Sequence, residues 1–322
     1  MQHSDKNNNS QWLNVYLPLI AVQLLFAALP SFSKIAFRTF NPKLILSIRI
    51  GGGALIFYIL YRLFFYSGTI QRKHYLNFFM LAFTGVCMNQ FLFLEGVART
   101  TSINAIIIVA TIPIHTLILS TLLKQDRITP VKIAAIAVAF AGVFVIVGLE
   151  NLNLGGYFSG NILLVLSAMI YSFYLVYSKT MLKIYKPFTV ITYVFIFGFL
   201  ETIPITLLPV FDIVNNPVPF ALWWSPAVIL IFGTVLPYFF NIIALKGEKS
   251  SVVAAFIYLQ PLFGIIISMI LLGERLETKN IVAAALILGG VTILSREHKI
   301  TQWLKNGTKN PILHARPKKT KQ

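Results

Sequence analysis

Two stretches of this sequence align without a gap: SINAIIIVATIPIHTLILSTLLKQDR at residues 102–127 and SSVVAAFIYLQPLFGIIISMILLGER at residues 250–275. Both begin with a serine, carry a proline within a long apolar run, and end in an acidic residue followed by arginine. The matched pairs are Ser102 and Ser250, Pro113 and Pro261, and Asp126-Arg127 and Glu274-Arg275. The chain therefore contains an internal repeat.

The repeat extends in both directions from this stretch. The same shift of 148 residues pairs Gly85 with Gly233, Phe91 with Phe239, and Gly142 with Gly290. Upstream, a shift of 145 residues pairs Ser33-Lys34 with Ser178-Lys179, Pro42 with Pro187, and Gly53 with Gly198. Each copy holds five apolar segments, and an odd number of membrane crossings inverts the second copy relative to the first. Inverted repeats around a site at mid-membrane are the usual architecture of a secondary transporter.

The composition is that of an integral membrane protein. Of the 322 residues, 57% are hydrophobic and only 11% are charged, whereas a soluble domain carries about 25% charged residues. The net charge of +17 does not indicate a nucleic-acid partner, because the basic residues lie between apolar runs and in one tail rather than on a basic face. The single cysteine, Cys87, excludes an intrachain disulfide.

A helix needs about 20 mostly apolar residues to cross a bilayer. The sequence predicts an all-α integral membrane protein with ten transmembrane helices, arranged as two inverted five-helix repeats at residues 13–149 and 159–295. Residues 1–12 form a polar N-terminus, and we expect the basic tail at 296–322 to be disordered. The predicted spans are 13–36, 44–66, 75–97, 101–123, 131–149, 159–181, 188–210, 224–245, 251–273 and 278–295.

The basic residues predict which side of the membrane the termini occupy. With both termini in the cytoplasm, the cytoplasmic segments hold 20 basic residues and the outer segments hold 7. Without the tail the count is still 12 to 7, so the positive-inside rule favours cytoplasmic termini in the plasma (inner) membrane. The basic tail would then face the anionic inner leaflet.

At these residues the chain resembles the EamA family of the drug/metabolite transporter superfamily, from about residue 14 to 148 and again from 159 to 295. The most specific piece is the end of the second copy, with Ser251-Val252-Val253-Ala254-Ala255, Gln260-Pro261-Leu262 and Leu272-Gly273-Glu274-Arg275-Leu276. The first copy departs from this pattern, because Lys124-Gln125-Asp126-Arg127 replaces the glycine–glutamate form. The resemblance implies ten helices, cytoplasmic termini, and transport of small metabolites, often amino acids or related compounds, commonly outward.

Prolines in mid-span are the first candidates for the transport site. Pro113 and Pro261 each remove one backbone hydrogen bond, and a membrane helix tolerates this where neighbours or a cavity satisfy the freed carbonyl. The pair is either two structural kinks or two kinks that face a central cavity. Pro30 and Pro237 are weaker candidates of the same kind.

Two acidic residues lie within predicted spans, Glu95 and Glu201. A charge within the bilayer costs about 2.5–3.5 kcal/mol on insertion scales, so such a residue marks a functional site by default. Arg99 follows Glu95 at i+4, which favours an ordinary ion pair. Glu201 has apolar neighbours and is either a proton-coupling group or a protonated side chain that bonds a neighbouring helix.

Two basic candidates are Lys34 and His115. Lys34 ends the first span and shares a helix face with Gln23 and Pro30, so it either reaches the headgroups or presents a cation to a carboxylate. His115 shares a helical stripe with Thr111 and is either a packing residue or a proton relay.

Uncharged polar residues on several helices complete the candidate set. They either line a cavity for a small polar solute or bond the helices to one another, and the tyrosines would offer aromatic walls to an ammonium group. These candidates are Asn89, Gln90, Tyr171, Tyr174, Tyr238, Asn241, Tyr258 and Gln260.

A secondary transporter working by alternating access, with proton coupling as one option, explains the repeat, the paired prolines and the sparse polar groups together. Its partners would be a small-molecule solute and the lipid bilayer. The alternatives are a channel and a membrane-embedded enzyme acting on lipid-linked substrates, but the sequence contains neither a filter loop nor acids or histidines clustered at a membrane face. We predict no catalytic residue, cofactor or metal, since the five histidines are scattered and no phosphate-binding loop is present. The oligomeric state stays open between a monomer and a homodimer.

Overall fold

The computed structural model describes residues 17–123, 129–147, 157–247 and 250–296, and within these ranges the chain is helical and contains no strand. The predicted N-terminus (1–12) and nearly all of the basic tail (296–322) lie outside the described residues, as does the repeat position Asp126-Arg127. Helices of the first copy are α1 (Leu17–Ala36), α2 (Pro42–Leu60, continuing as a π-helix over Tyr61–Phe65), α3 (Arg72–Arg99), α4 (Ser102–Val109 and Ile112–Leu122) and α5 (Pro130–Val147).

Helices of the second copy follow the same order. They are α6 (Phe158–Leu182), α7 (Pro187–Asn215), α8 (Trp224–Leu230, a π-helix over Ile231–Val235, and Leu236–Gly247), α9 (Ser250–Ala255, a 3₁₀ turn over Phe256–Leu259, and Gln260–Leu272) and α10 (Thr278–Ser295). Helix α3 contains a π-helix of its own over Phe83–Cys87. The π-helices of α3 and α8 lie 148 residues apart, at matched positions of the repeat.

The helices are those of a multi-pass membrane protein. Seven are long and apolar enough to cross a membrane: α1, α2, α3, α4, α6, α7 and α8. The described apolar parts of α5, α9 and α10 are shorter, at Pro130–Gly142, Phe256–Leu272 and Thr278–Gly290. Large apolar side chains cover the outer surface, including Leu208 (79% exposed) and Ile270 (75% exposed), which suits contact with lipid tails rather than water.

Three helices differ from the predicted spans. We predicted α9 as one helix over 251–273, but it contains a 3₁₀ turn over Phe256–Leu259. We predicted α7 at 188–210, but it continues through Pro204 and Pro209 to Asn215, because neighbouring groups in a membrane protein can satisfy the backbone around a proline. We predicted α4 as one helix over 101–123, but it is interrupted at Ala110 and Thr111. Pro113 has no N–H to donate to the carbonyl four residues earlier, so the regular helix ends before it and a new one begins.

Equivalent helices of the two copies pack against each other through small residues. At Gly290 on α10, an added Cβ would lie 2.5 Å from the carbonyl oxygen of Ala135 on α5, and at Gly53 on α2 it would lie 2.6 Å from the ring of Phe195 on α7. Only glycine permits so close an approach of two helices. The copies therefore share one helical bundle rather than forming two separate domains.

Candidate functional site

A cavity of about 70 Å³ lies at the centre of the bundle, between helices of both copies. The polar residues of this central cavity are Gln23, Arg49, Asn89, Gln90, Ser167, Tyr171, Tyr238, Asn241 and Gln260. Its apolar residues are Phe26, Leu29, Pro30, Phe93, Ile106, Val109, Ile112, Ala168, Leu175, Val253 and Ile257. Helices α1 to α4 supply one part of the wall, and helices α6, α8 and α9 supply the other.

Arg49 on α2 brings a cation into this cavity, and its side chain is 2% exposed. Its Nε donates a 2.9 Å hydrogen bond to Oγ1 of Thr234, and its Nη2 donates a 3.1 Å hydrogen bond to the carbonyl oxygen of Gly233, both on α8. That carbonyl is available because Pro237, four residues later, has no N–H to donate to it. Among the described residues, the third nitrogen, Nη1, is buried without a hydrogen-bond partner.

The matched π-helix of α3 also accepts a hydrogen bond through a glycine carbonyl. The hydroxyl of Tyr238 on α8 donates a 2.9 Å hydrogen bond to the carbonyl oxygen of Gly85, the repeat partner of Gly233. The same hydroxyl accepts a 3.1 Å hydrogen bond from Nε2 of Gln90. In each copy, therefore, a glycine carbonyl within a π-helix accepts a hydrogen bond from a cavity side chain of the other copy. Single-turn π-helices occur frequently at functional sites.

Amide side chains form the remaining polar wall. Nε2 of Gln260 on α9 donates a 2.6 Å hydrogen bond to Oε1 of Gln23 on α1. Nδ2 of Asn241 donates a 2.9 Å hydrogen bond to the hydroxyl of Tyr171. Both contacts are buried, and each connects two helices across the cavity wall.

The matched prolines act on the cavity indirectly. Neither Pro113 nor Pro261 lines it. The carbonyls that they leave without their regular N–H donor belong to Val109 and Ile257, which both line the cavity at matched positions of the repeat. The kinks thus place irregular backbone beside the cavity, where a membrane protein tolerates it.

Polar contacts between the copies close the bundle at the end where α4 begins. The carboxylate of Glu274, after α9, accepts hydrogen bonds from the backbone N–H groups of Ser102 and Ile103. Nδ2 of Asn280 on α10 donates a 2.8 Å hydrogen bond to Oδ1 of Asn104 on α4. Both sets of hydrogen bonds join residues of the two copies, so separating this end of the bundle would break them.

The family of this chain follows from its two copies. The model of the EamA-like transporter family matches residues 13–148 and again residues 158–296. The chain belongs to the EamA-like transporter family.

Similar proteins that match most of this chain occur in a bacterium and in an archaeon. The EamA chain is 23% identical over 297 residues to an uncharacterized transporter, YyaM, of Bacillus subtilis (strain 168), with 90% of this chain and 96% of the relative covered. It is 25% identical over 287 residues to an uncharacterized transporter of Archaeoglobus fulgidus, with 89% and 99% covered. A solved structure described only as "Crystal structure of protein" has the same fold, with a TM-score of 0.62, 16% identity, and 87% of this chain and 96% of that chain covered.

The cavity of this EamA protein includes half of the residues that we selected as cavity candidates from the sequence. Those that line it are Pro30, Asn89, Gln90, Tyr171, Tyr238, Asn241 and Gln260. The structure places the others outside the lining: Lys34, Thr111, Pro113, His115, Tyr174, Tyr258 and Pro261.

The candidates outside the lining have other surroundings. The ring of Tyr174 stacks on Tyr171, with ring centroids 5.6 Å apart, and so supports the cavity wall from behind. The hydroxyl of Thr111 donates a hydrogen bond to the carbonyl of Ile108 within its own helix. His115 packs edge-on against Phe140, and Lys34 lies half-buried at the end of α1, within electrostatic reach of Glu274.

The two intramembrane acids also have different surroundings. Glu95 accepts a 2.7 Å hydrogen bond from Arg99, the ion pair that the i+4 spacing predicts. Glu201 on α7 lies outside the central cavity, near Cys87 in the π-helix of α3. Among the described residues, both of its carboxylate oxygens are buried without a hydrogen-bond partner.

Arg49 is the functional candidate that the sequence analysis missed. It was not among the candidates selected from the sequence, although a cation within an apolar span marks a functional site as an acid does. The repeat carries a second signal, because the equivalent residue of the other copy, 145 positions later, is Val194. The charge at this position is therefore not part of the repeated pattern.

Proposed function

We propose that this protein is a secondary transporter that carries small polar metabolites, such as amino acids or related compounds, outward across the plasma membrane by alternating access. In this proposal the chain crosses the membrane ten times, as two inverted sets of five helices, with both termini in the cytoplasm. The observation that carries the proposal is the central cavity, which is polar on one part of its wall, apolar on the rest, and built from both copies. A cavity with this mixed lining suits a small solute with one polar end.

The contacts between the copies support the alternating-access part of the proposal. At the end where α4 begins, these contacts include hydrogen bonds of Glu274 and Asn280. Such contacts can exchange with water when one copy rocks against the other. The cavity would then open at this end while contacts elsewhere in the bundle keep the opposite end closed.

Proton coupling is the proposed source of energy, and Glu201 is the proposed coupling residue. A carboxylate that is buried in a membrane without a partner is costly to hold in its charged form. A protonated Glu201 in one orientation and a charged, hydrated Glu201 in the other would link proton movement to rocking of the bundle. Its position on α7 beside the π-helix of α3 supports this role, because α3 lines the cavity and would move with it.

Reconstitution into liposomes tests the proposed function. Vesicles are loaded with a ¹³C-labelled mixture of amino acids and small carboxylic acids and are diluted into the unlabelled mixture, and mass spectrometry follows both isotopic forms of each solute. A carrier exchanges labelled for unlabelled solute one for one, and the rate saturates with concentration. Flux of many solutes that never saturates would indicate a channel instead, and chemical conversion without exchange would indicate an enzyme.

A further inference from the structure

Arg49 is held so that part of its guanidinium has no protein partner. Two of its nitrogens are fixed to α8, through Thr234 and the carbonyl of Gly233, while Nη1 is buried without an acceptor. Within the described ranges no carboxylate pairs with this arginine, since the ion pairs found there are Glu95 with Arg99 and Glu277 with Lys279. A buried guanidinium with an unused donor is unfavourable for the empty protein and favourable for an anion that enters the cavity.

The surroundings of Arg49 define the kind of anion. A guanidinium binds carboxylate oxygens through short, charge-assisted hydrogen bonds with a fixed planar geometry. Arg49 is the one basic residue among the described lining residues, so it balances a single negative charge, and a dianion would bring a second charge without a partner. The rest of the lining consists of neutral amides and hydroxyls and of apolar side chains such as Phe26 and Phe93.

The repeat does not account for this charge. The matched position in the other copy is Val194, which is fully buried in the apolar core. The charge of Arg49 is therefore not part of the repeated pattern, and ligand recognition is the property that its unpartnered nitrogen provides.

We infer that the central cavity binds solutes through a carboxylate group, which pairs with Nη1 of Arg49, while a short apolar or aromatic body packs against Phe26 and Phe93. The inference deepens the proposed function and rests on it, because it names the chemical class of the transported solute. It also assigns Arg49 as the residue that selects monocarboxylates over their neutral amides.

A binding measurement that needs no transport tests this inference. Cys87 is the only cysteine and is 1% exposed, so a thiol-reactive fluorophore reports the temperature at which the purified protein unfolds. The probes are matched pairs of a small acid and its primary amide, from acetate to phenylacetate, with and without an amino group, together with inorganic phosphate. An acid at about ten times its Kd should raise the unfolding midpoint by about 3 °C, whereas its amide should not.

Variants identify Arg49 as the source of the preference. Arg49→Gln should weaken acid binding by at least about 30-fold, and Arg49→Lys should bind acids more weakly than the wild type but still better than amides. The matched control is Arg62→Gln, which removes the same charge from an exposed residue whose guanidinium stacks over Tyr66. If Arg49→Gln does not fold, Arg49→Lys takes its place, and acid affinity equal to that of the wild type in this variant would overturn the assignment of Arg49.

The outcomes separate the inference from the proposed function. Acid-specific stabilisation that depends on Arg49 supports the inference, and if no solute then exchanges in liposomes the transporter proposal fails while the binding site stands. Equal stabilisation by acids and amides, stabilisation by phosphate alone, an acid preference that survives in Arg49→Gln, or no stabilisation by any acid overturns the inference. Exchange of neutral solutes in liposomes, without stabilisation of the protein by any acid, overturns the inference as well but leaves the transporter proposal intact.

Discussion

The carboxylate of Glu274 accepts a 2.9 Å hydrogen bond from the backbone N–H of Ser102, and its second oxygen accepts a 3.0 Å hydrogen bond from the next N–H. Glu274 belongs to the second copy and Ser102 begins α4 of the first copy. Gly273, at φ +66°, ends α9 in the left-handed conformation that glycine adopts readily, and this turns the chain towards α4. Glu274 of this Gly-Glu-Arg stretch therefore caps the N-terminus of α4, a helix of the other copy.

Replacement of Glu274 by glutamine should destabilise the protein. The change removes a negative charge from a helix N-terminus and leaves one of two N–H groups without its acceptor, which together cost about 1–2 kcal/mol. The unfolding midpoint, followed through the thiol of Cys87, should fall by about 2–6 °C. The matched control is Glu277→Gln, which also removes a negative charge from a helix N-terminus, that of α10, but the carboxylate of Glu277 is exposed and pairs with Lys279 on the surface. Equal midpoints in both variants would contradict the capping role.

Adjacent glycines on α10 should respond to alanine in opposite directions. At Gly290 the added Cβ would lie 2.5 Å from the backbone oxygen of Ala135, whereas at Gly289 it would meet nothing within 4 Å. Gly290→Ala should cost about 1–3 kcal/mol through overpacking, and Gly289→Ala should be neutral or stabilising by up to about 1 kcal/mol through helix propensity. The same thermal measurement checks both variants. Equal losses would show that α5 and α10 are not in close contact.

The pair Gln23 and Gln260 should behave as one unit. Replacing either residue alone by leucine leaves a buried amide group without its partner, whereas replacing both leaves no unpaired group at this contact. The double variant should therefore be more stable than the two single losses predict, with a coupling of about 0.6–1.7 kcal/mol. A double-mutant cycle of unfolding midpoints measures this coupling. Strict additivity would mean that α1 and α9 do not meet through these side chains.

Glu201→Gln should uncouple transport from protons without stopping it. The variant should still exchange solute between the two sides of a liposome, but an imposed pH gradient should no longer accelerate its accumulation, because an amide cannot release a proton. Glu95→Gln is the control, since Glu95 already pairs with Arg99. Gradient-driven accumulation that persists in Glu201→Gln, or that fails equally in both variants, would remove the coupling role from Glu201.

The positions of the helices could be predicted well from hydropathy and the repeat, because both are properties of the local sequence. Helix α10 runs from Thr278 to Ser295, the predicted span, and α8 begins its α-helical part at Trp224, also as predicted. The interruption at Ala110 and the extension of α7 to Asn215 could not be predicted in the same way. Both depend on whether neighbouring helices satisfy the backbone near a proline, which only the packing decides.

Only part of the candidate site could be predicted, because the rest also depends on how the helices pack. Gln90, Tyr238 and Gln260 could be selected because they are polar and lie in mid-span, where polar groups either line a cavity or connect helices. The sequence could not separate these two roles, so His115 and Tyr258 were included although both lie outside the lining. The position of the Arg49 side chain depends on a hydrogen bond to the carbonyl of Gly233, which a π-helix and Pro237 leave available as an acceptor. No sequence pattern shows this contact.

Labelling of loops from one side of the membrane tests whether the two copies are inverted relative to each other. In a Cys87→Ser chain, single cysteines are placed at two exposed loop positions 148 residues apart, Thr69→Cys between α2 and α3 and Pro217→Cys between α7 and α8. A membrane-impermeant thiol reagent applied to intact cells should label Pro217→Cys at once and should label Thr69→Cys only after the membrane is opened. Labelling of both cysteines from the same side would show that the two copies cross the membrane in the same sense, and an inverted-repeat transporter would be excluded.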